Sequence, residues 1–426
     1  MKRFLAASFV MSAAMSVTLG MAQNSIPVGG ANLPRPEIDI AEARKAVLEK
    51  PTQYTSYNLL AAALVRRAQE TLDNGDYVEA ESAAKKSLEL APHNFETEKI
   101  EVSILLGEHE FPAALEAAKK LNKRTPDDVM VYGMLTDANV ELGNYGDAEN
   151  SAQWMLNLRP GNLPALTRAA HLRELFGDAE GAYELMSLAY QSMPPTDIQE
   201  RASALTQMGH MRLESNDGDR AEKLLQQSLT IVPEYSAALA ELAEIRTSQG
   251  RYQDAVNLLV KQEHSSARPS ELYELAEAMQ LAGNSDEAKK TFTEFETKAL
   301  AESGKRDNSN HELVFYYLDN AHQPAKGLKI AEQEYAWRHD VYTLDAYAWA
   351  LHVNGQEREA RKQVETALAV GIRDAKIFRH AGVIALKAGD RVAGERYLKQ
   401  AAELNSEDAA QARTILASLA GKSARW

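Results

Sequence analysis

Apolar and polar positions follow one another along most of the chain as two short amphipathic runs joined by a turn. In one example, residues 131–142 and 145–158 each carry apolar residues three and four positions apart, the spacing of one face of an α-helix. Gly143 lies between the two runs, where a glycine can adopt the left-handed backbone that ends a helix. Pro160 follows the second run and cannot continue it. The pattern predicts a pair of helices, with Tyr145 filling the space between them.

The predicted helix pair recurs at a nearly constant spacing. Alanines from Ala80 to Ala182, early in the second helix of successive pairs, are 34 residues apart, and prolines from Pro92 to Pro194 keep the same spacing. A small side chain at this position lets the two helices approach closely. Ten cycles are predicted, and the small residues at this position are Ala80, Ala114, Ala148, Ala182, Ala221, Ala255, Ala288, Ala325, Ala360 and Gly394.

This arrangement resembles the tetratricopeptide repeat family, whose period and helix–turn–helix pattern it shares. The resemblance covers residues 54–406 and implies an all-α, right-handed superhelical solenoid of about ten repeats. It is weakest near residues 300–325. There the polar segment 302–310 predicts an irregular joint, and in the following cycle only Ala325 keeps the register. Amphipathic segments at residues 37–53 and 407–426 predict helices that cap the two ends, the second followed by a short tail.

The N-terminal residues predict export. "MKR" is followed by an uncharged, largely apolar stretch, and Gly20 and Ala22 are small residues where a signal peptidase would cleave. We therefore expect residues 1–22 to be a cleaved signal peptide, with a retained N-terminal anchor as the alternative, and residues 23–36 to be a flexible linker. The expected location is the periplasm or the exterior, without a membrane span after cleavage.

Composition narrows the classes of partner. The chain has 61 acidic and 47 basic residues, a formal net charge of −14, which argues against a nucleic-acid partner because phosphate binding needs a basic face. It has no cysteine, which excludes disulfides, thiolate metal sites and lipid attachment to a cysteine.

Catalytic and cofactor motifs are missing from the sequence. It contains no phosphate-binding glycine loop, G-x-S-x-G elbow or H-E-x-x-H motif, so we expect a protein that is not an enzyme and binds no cofactor. Residues 214–222 superficially resemble a calcium loop but lack its acidic positions, and we interpret them as a turn between helices. A zinc site between His171 and His210 is conceivable, yet further ligands are not evident, so no metal is predicted.

In the family that this chain resembles, the first helix of each repeat lines a concave groove that holds segments of partner proteins. Projecting that helix from the period gives fourteen candidate groove residues: Asp137, Glu141, His171, Glu174, His210, Glu244, Tyr273, Glu277, Tyr342, Asp345, Trp349, His352, Lys376 and Arg379.

Two groups of these candidates have distinctive chemistry. Tyr342, Trp349 and His352 lie on one helical stripe beside Asp345, where the aromatic rings could anchor a partner or could instead pack as core. Lys376 and Arg379 form a basic pair that could meet a carboxylate of a partner, or could be a solvated surface.

The favoured function is a non-enzymatic scaffold of the cell envelope that binds partner proteins or peptides in its groove. The alternative is an accessory subunit that binds cell-wall glycan or another exported polymer for an enzyme. Stacking of a sugar on Tyr342 and Trp349 is the feature that favours the alternative.

Overall fold

A computed structural model describes residues 36–71, 75–266, 268–305, 308–404 and 406–423. The predicted signal peptide at 1–22 and the predicted linker at 23–36, except for Pro36, lie outside these residues. Of the helices that are described, none is both long and apolar enough to cross a membrane.

Every regular element of the described residues is helical. The first eleven helices are α1 (Pro36–Glu49), α2 (Tyr54–Thr71), α3 (Gly75–Leu90), α4 (Phe95–Gly107), α5 (Phe111–Arg124), α6 (Val129–Glu141), α7 (Tyr145–Leu158), α8 (Leu163–Leu175), α9 (Ala179–Ser192), α10 (Ile198–Glu214) and α11 (Gly218–Ile231). The others are α12 (Ser236–Ser248), α13 (Tyr252–Ser266), α14 (Pro269–Leu281), α15 (Ser285–Glu302), α16 (Asn310–Phe315) with a π-helical turn (Tyr316–Asn320), α17 (Pro324–Tyr335), α18 (Val341–Val353), α19 (Glu357–Ala369), α20 (Ala375–Lys387), α21 (Arg391–Ala402) and α22 (Glu407–Ser423).

From α2 to α21 the described helices form ten consecutive pairs, and α1 and α22 stand before and after them. The all-α solenoid of helix pairs that the sequence predicts is therefore confirmed. The predicted turn at 214–222 is also confirmed, since it joins α10 to α11.

The turn between α6 and α7 shows how one pair is made. Gly143 has a φ of 72°, the left-handed conformation that favours glycine, and its N–H donates to the carbonyl of Val140 at 3.0 Å. The chain reverses here, and Tyr145 at the start of α7 is buried. Ala148, with 0% of its surface exposed, lies at the helix crossing as predicted. Helix α6 begins two residues earlier than predicted, and α7 has its predicted bounds.

The register of the eighth pair differs from the prediction. Ala325 is exposed on α17, whereas Gly327 is buried. A Cβ atom added to Gly327 would lie 2.8 Å from Cδ2 of Leu318 and 3.3 Å from the carbonyl oxygen of Val314. The small residue at this crossing is therefore Gly327, and the assignment of Ala325 is wrong. The spacing changes here because α15 has 18 residues, whereas the next first helix consists only of the six residues of α16 and the five of the π-helical turn.

Alternate helices contact one another on one side of the array. The first helices α2 and α4, α4 and α6, α10 and α12, α16 and α18, and α18 and α20 are in contact. The first helix of a pair therefore belongs to an inner layer, and the second helix lies outside it. This is the arrangement that the resemblance implies.

Contacts divide the described chain into two compact units, residues 36–168 and 169–423, with the boundary inside α8. The irregular region predicted near 300–325 lies within the second unit. There α15 extends over 18 residues, whereas α16 has six before the π-helical turn.

The second unit closes on itself. Nδ2 of Asn216, in the turn after α10, donates to the carbonyl oxygen of Glu403 at 2.8 Å. Helix α22 packs against α20 and α21 and also contacts α12. The last helix of the unit therefore contacts α12, and the carboxylates of Asp374, just before α20, and Asp408 of α22 come near Glu244.

Candidate binding site

The candidates in the first unit are Asp137 and Glu141 of α6. The carboxylate of Asp137 accepts hydrogen bonds from Nε and Nη2 of Arg168 at 2.7 and 2.6 Å, and both side chains are largely buried. Burial raises the pKa of Asp137, although Arg168 lowers it again. Asp137 thus joins α6 to α8, and Glu141 is partly buried at the end of α6.

In the second unit, a histidine–glutamate cluster consists of His171, Glu174, His210, Glu214 and Glu241. Nδ1 of His210 lies 3.0 and 3.1 Å from the two carboxylate oxygens of Glu241. Nε2 of the same ring lies 3.8 Å from Oε1 of Glu214. Nδ1 of His171 lies 3.9 Å from Oε2 of Glu174. The cluster joins the first helices of three successive pairs, α8, α10 and α12.

The members of this cluster strongly influence one another. Burial, together with the carboxylates of Glu214 and Glu241, raises the pKa of Glu174 well above its usual range, and His210 opposes this. Burial alone would lower the pKa of His210, but the carboxylates of Glu241, Glu214 and Glu174 hold it well above its usual range. The cluster therefore places the carboxyl groups of Glu174, Glu214 and Glu241 around the single imidazole of His210.

Next to the cluster is an acidic inner face, formed by Glu244 of α12, Glu274 and Glu277 of α14, and Glu312 of α16. Burial raises the pKa of Glu244 to about 7, that of Glu274 to about 8 and that of Glu312 to about 7, and nearby carboxylates add to the first two. It also raises the pKa of Glu277. The side chain of Glu244 is nevertheless exposed. Its carboxyl group is therefore accessible while protein atoms surround it closely.

Closure of the second unit brings two more carboxylates near Glu244. Asp374 precedes α20 and Asp408 lies on α22, and both carboxylates raise the pKa of Glu244. Asp374 itself has a pKa raised by burial to about 6. Lys376 opposes these carboxylates, because it lowers the pKa of Glu277 and, together with Arg268, that of Glu312.

Trp349 packs inside a stack of rings. Its indole lies 4.2 Å from the ring of His380 with 13° between the planes, and its Nε1 donates to Asp319 at 3.0 Å. The His380 ring is also stacked on Phe315, with 5.8 Å between centroids. The core interpretation of Trp349 agrees with this packing. This stacking covers one face of the indole, and a sugar platform on Trp349 and Tyr342 stays a prediction.

His380 is fully buried, and its contacts show which ring nitrogen carries the proton. Nη2 of Arg379 lies 3.1 Å from Nε2 of His380, and arginine can only donate, so Nε2 is the acceptor. Nδ1–H then donates to the Asp345 carboxylate, 2.8 Å away. Burial and Arg379 hold the pKa of His380 well below its usual range, as a neutral ring requires. Burial raises the pKa of Asp345 to about 7.

The candidates were expected to line an open groove, but several of them lie in the packed interior instead. Tyr273 and Asp345 are each 2% exposed, and Glu174 is 5% exposed, because each packs between helices. The Tyr273 hydroxyl donates to Glu277 at 2.7 Å. Arg379 already has a carboxylate partner in its own chain, since its Nε lies 2.5 Å from Oδ1 of Asp408. These positions correct the expected exposure, while a role in binding stays a prediction.

The remaining candidates are partly buried. Nδ1 of His352 lies 2.7 Å from Oε2 of Glu357, at the start of the next helix. Nζ of Lys376 lies 4.6 Å from the centre of the Phe315 ring. Tyr342 lies in the first turn of α18.

Sequence reasoning missed His380, Glu241, Glu274, Glu312 and Asp408. The period carries a signal for one of them, because His380 lies 35 residues after Asp345 and so falls one repeat later on the same helical face. Asp408 carries no such signal, since its approach to Glu244 depends on the closure of the unit.

The model of the tetratricopeptide repeat family matches residues 212–269. Among curated proteins, the sequence matches none. Similar solved structures include the Cut9–Hcn1 hetero-tetramer of the APC/C, at 13% identity and a TM-score of 0.49, covering 86% of this chain and 62% of that one. A human IFIT1 dimer with PPP-AAAA has 14% identity and a TM-score of 0.48, covering 87% and 95%. PilW, a widely conserved type IV pilus biogenesis factor, has 15% identity and a TM-score of 0.42, covering 49% and 94%.

At these identities and TM-scores, the similar structures say nothing about ligands or partners. The family match covers parts of α10 to α14, which form regular helix pairs in the structure. The resemblance drawn from the period is thus confirmed, since residues 212–269 match the tetratricopeptide repeat family and lie within the array of helix pairs.

Proposed function

We propose that the chain is a non-catalytic scaffold of the cell envelope that binds a lysine- or arginine-rich segment of a partner protein on the acidic inner face. The observation that carries this proposal is the state of Glu244. Its carboxylate is exposed, yet burial and neighbouring acids raise its pKa to about 7. Such a group is accessible to a ligand and lacks sufficient positive charge around it.

A cationic side chain supplies that charge. The nearby acids, including Glu277, Asp374 and Asp408, are accompanied by few cations, of which Arg379 is already paired with Asp408. A bound lysine or arginine stabilises the ionised form of these carboxylates and lowers their pKa. Binding then releases protons, so affinity rises with pH over the range in which the free carboxylates titrate.

The test uses the purified protein and two labelled peptides, a lysine–alanine repeat and its glutamate–alanine counterpart. We expect the basic peptide to bind and the acidic one not to bind, as measured by fluorescence anisotropy. Affinity should increase between about pH 6 and about pH 8, where carboxylates with raised pKa values ionise. Added salt should weaken binding because the attraction is electrostatic.

Two variants of the acidic inner face and one control variant test where the peptide binds. Glu244→Gln and Glu277→Gln should each weaken binding of the basic peptide. Glu287→Gln removes an exposed carboxylate on the outer helix α15 and should leave binding unchanged. Equal loss in all three variants, or equal binding of both peptides, contradicts the proposal.

The location in the cell envelope rests on residues 1–22, whose pattern is that of a signal peptide. Mass spectrometry of the N-terminus of the protein from its native cell should show a chain that begins after Ala22, in the envelope fraction. Crosslinking in that fraction should then recover a partner that the Glu244→Gln variant loses. A cytoplasmic chain that still carries Met1 rules out this location.

A further inference from the structure

We propose that Glu174, His210 and Glu214 bind one divalent transition-metal ion of the zinc type. One ligand atom from each of the three side chains lies within 4.8 Å of the other two. Glu174 comes from α8, and the other two come from α10, where their spacing of four residues places them on the same face of the helix. This inference is independent of the proposed binding of a basic peptide.

The orientation of His210 suits a metal ligand. Its Nδ1 lies 3.0 and 3.1 Å from the oxygens of Glu241, so Nδ1–H donates to that carboxylate. Its Nε2 points toward Glu214, at 3.8 Å from Oε1. Metal-ligating histidines commonly donate their other ring N–H to a carboxylate, which fixes the tautomer and makes the free nitrogen more basic. Glu241 is therefore a positioning residue for the metal site.

Glu174 is the second observation that points to a cation. Its side chain is 6% exposed, and Nδ1 of His171 lies 3.9 Å from its Oε2, too far for a hydrogen bond. Within the described chain, no hydrogen bond involves its carboxylate. A buried carboxylate is costly unless it is paired or coordinates a metal, and here the neighbouring groups Glu214 and Glu241 carry the same charge. A divalent cation between Glu174, His210 and Glu214 offsets that charge.

The ligand set selects the type of metal. One imidazole nitrogen with two carboxylate oxygens is typical of zinc and its neighbours, whereas Mg²⁺ and Ca²⁺ prefer sites made of oxygen. Ligands about 2.1 Å from a tetrahedral ion are about 3.4 Å apart, so the side chains must close by up to about 1.4 Å. Rotation of the long glutamate side chains allows this movement.

The experiment is metal binding to the purified protein after chelation. Calorimetric titration with Zn²⁺ should show one ion per chain, and millimolar Mg²⁺ should not compete. Glu174→Gln and His210→Ala should each lower the Zn²⁺ affinity at least tenfold. Glu241→Gln keeps all three ligands and should lower the affinity roughly tenfold to a hundredfold, as loss of a supporting carboxylate does. With Co²⁺ as the probe, visible absorption bands should appear and should be absent in His210→Ala.

The control is His352→Ala. This histidine has similar exposure to His210 and also contacts a glutamate, Glu357, but among the described residues it belongs to no group of three metal-binding side chains. It should bind Zn²⁺ as the parent does. Circular dichroism checks that each variant is folded. If His210→Ala unfolds, Zn²⁺ binding by Glu174→Gln, which preserves the shape of the side chain, is the test. Absence of saturable Zn²⁺ binding, or undiminished binding by the folded Glu174→Gln variant, overturns the proposal.

Discussion

At the scale of single residues, side chains of one carbon or none allow the paired helices to approach each other. Ala148 is 0% exposed in the third pair. In the tenth pair, a Cβ added to Gly394 would lie 2.6 Å from Cγ of Leu386 and 3.0 Å from the carbonyl oxygen of Gly382. Interiors are packed too closely to accept such an atom without displacement of the helices. The small residue at each crossing is therefore a steric requirement of the fold.

Ala148→Trp should destabilise the protein by roughly 1–3 kcal/mol, because a large ring overpacks the crossing of α6 and α7. The matched control is Ala325→Trp, since Ala325 is exposed on α17 and Gly327 occupies the crossing instead. That control should change the free energy of unfolding by less than about 0.5 kcal/mol. Urea denaturation followed by circular dichroism measures both. Equal losses in the two variants would mean that the register with Gly327 at the crossing is wrong.

At the scale of helices, local signals predict the elements well and their assembly less well. Gly143, Tyr145 and Pro160 act within one pair, so a short window of sequence predicts α6 and α7 to within two residues. The register of α17 could not be predicted, because it follows from the long helix α15 and the short α16 with its π-helical turn. Hydroxyls of Tyr316 and Tyr317 in that turn both donate to Glu296 of α15.

The candidate site was only partly predictable for a related reason. The period places charged residues on the first helices, and this was enough to select His210, Glu244 and Glu277. Exposure depends on what neighbouring helices contribute, and the period does not show that Asp345 faces His380 and is buried. The approach of Asp408 to Arg379 depends on how α22 docks.

Docking of α22 depends on an ion pair that Asp408→Asn weakens. Arg379 and Asp408 have side chains only 13% and 19% exposed, and Arg379, with Lys376, holds the pKa of Asp408 below its usual range against the effect of burial. Losing this charged hydrogen bond should cost about 1–3 kcal/mol. Amide hydrogen exchange in α22 should become roughly tenfold to a hundredfold faster.

The control for this variant is Glu395→Gln, which breaks the exposed pair between Arg391 and Glu395 within α21. Exposed pairs contribute little, so exchange in α22 should stay near that of the parent. Unchanged exchange in Asp408→Asn would mean that apolar packing alone docks α22.

At the scale of the whole molecule, carboxyl groups with raised pKa values are concentrated inside the second unit. Glu244, Glu274 and Glu312 have pKa values raised to between about 7 and about 8, chiefly by burial. The folded chain therefore holds these protons more tightly than the unfolded chain, and the free energy of unfolding falls as the pH rises toward these values. His311, whose pKa burial lowers to about 3, acts in the opposite sense only at lower pH.

The melting temperature should consequently be lower at about pH 8 than at about pH 6.5, where the raised carboxyl groups are still protonated. Glu274→Gln removes the group with the pKa of about 8. In this variant the free energy of unfolding should differ between the two pH values by about 1 kcal/mol less than in the parent. Thermal unfolding at the two pH values measures the effect. Glu287→Gln, an exposed carboxylate on α15, should retain the full pH dependence. A melting temperature that rises across this range contradicts the assigned protonation.

The hydrogen bond between Asn216 and Glu403 joins residues 187 positions apart. Contacts within and between adjacent helix pairs form locally and can spread from any pair, but this contact closes a very long loop whose entropy must be lost first. Docking of α22 on α12 should therefore be a late step of folding, and its release an early step of unfolding. The kinetics of the second unit should thus separate into rapid growth of helix pairs and a slower closure that depends on both ends of the unit.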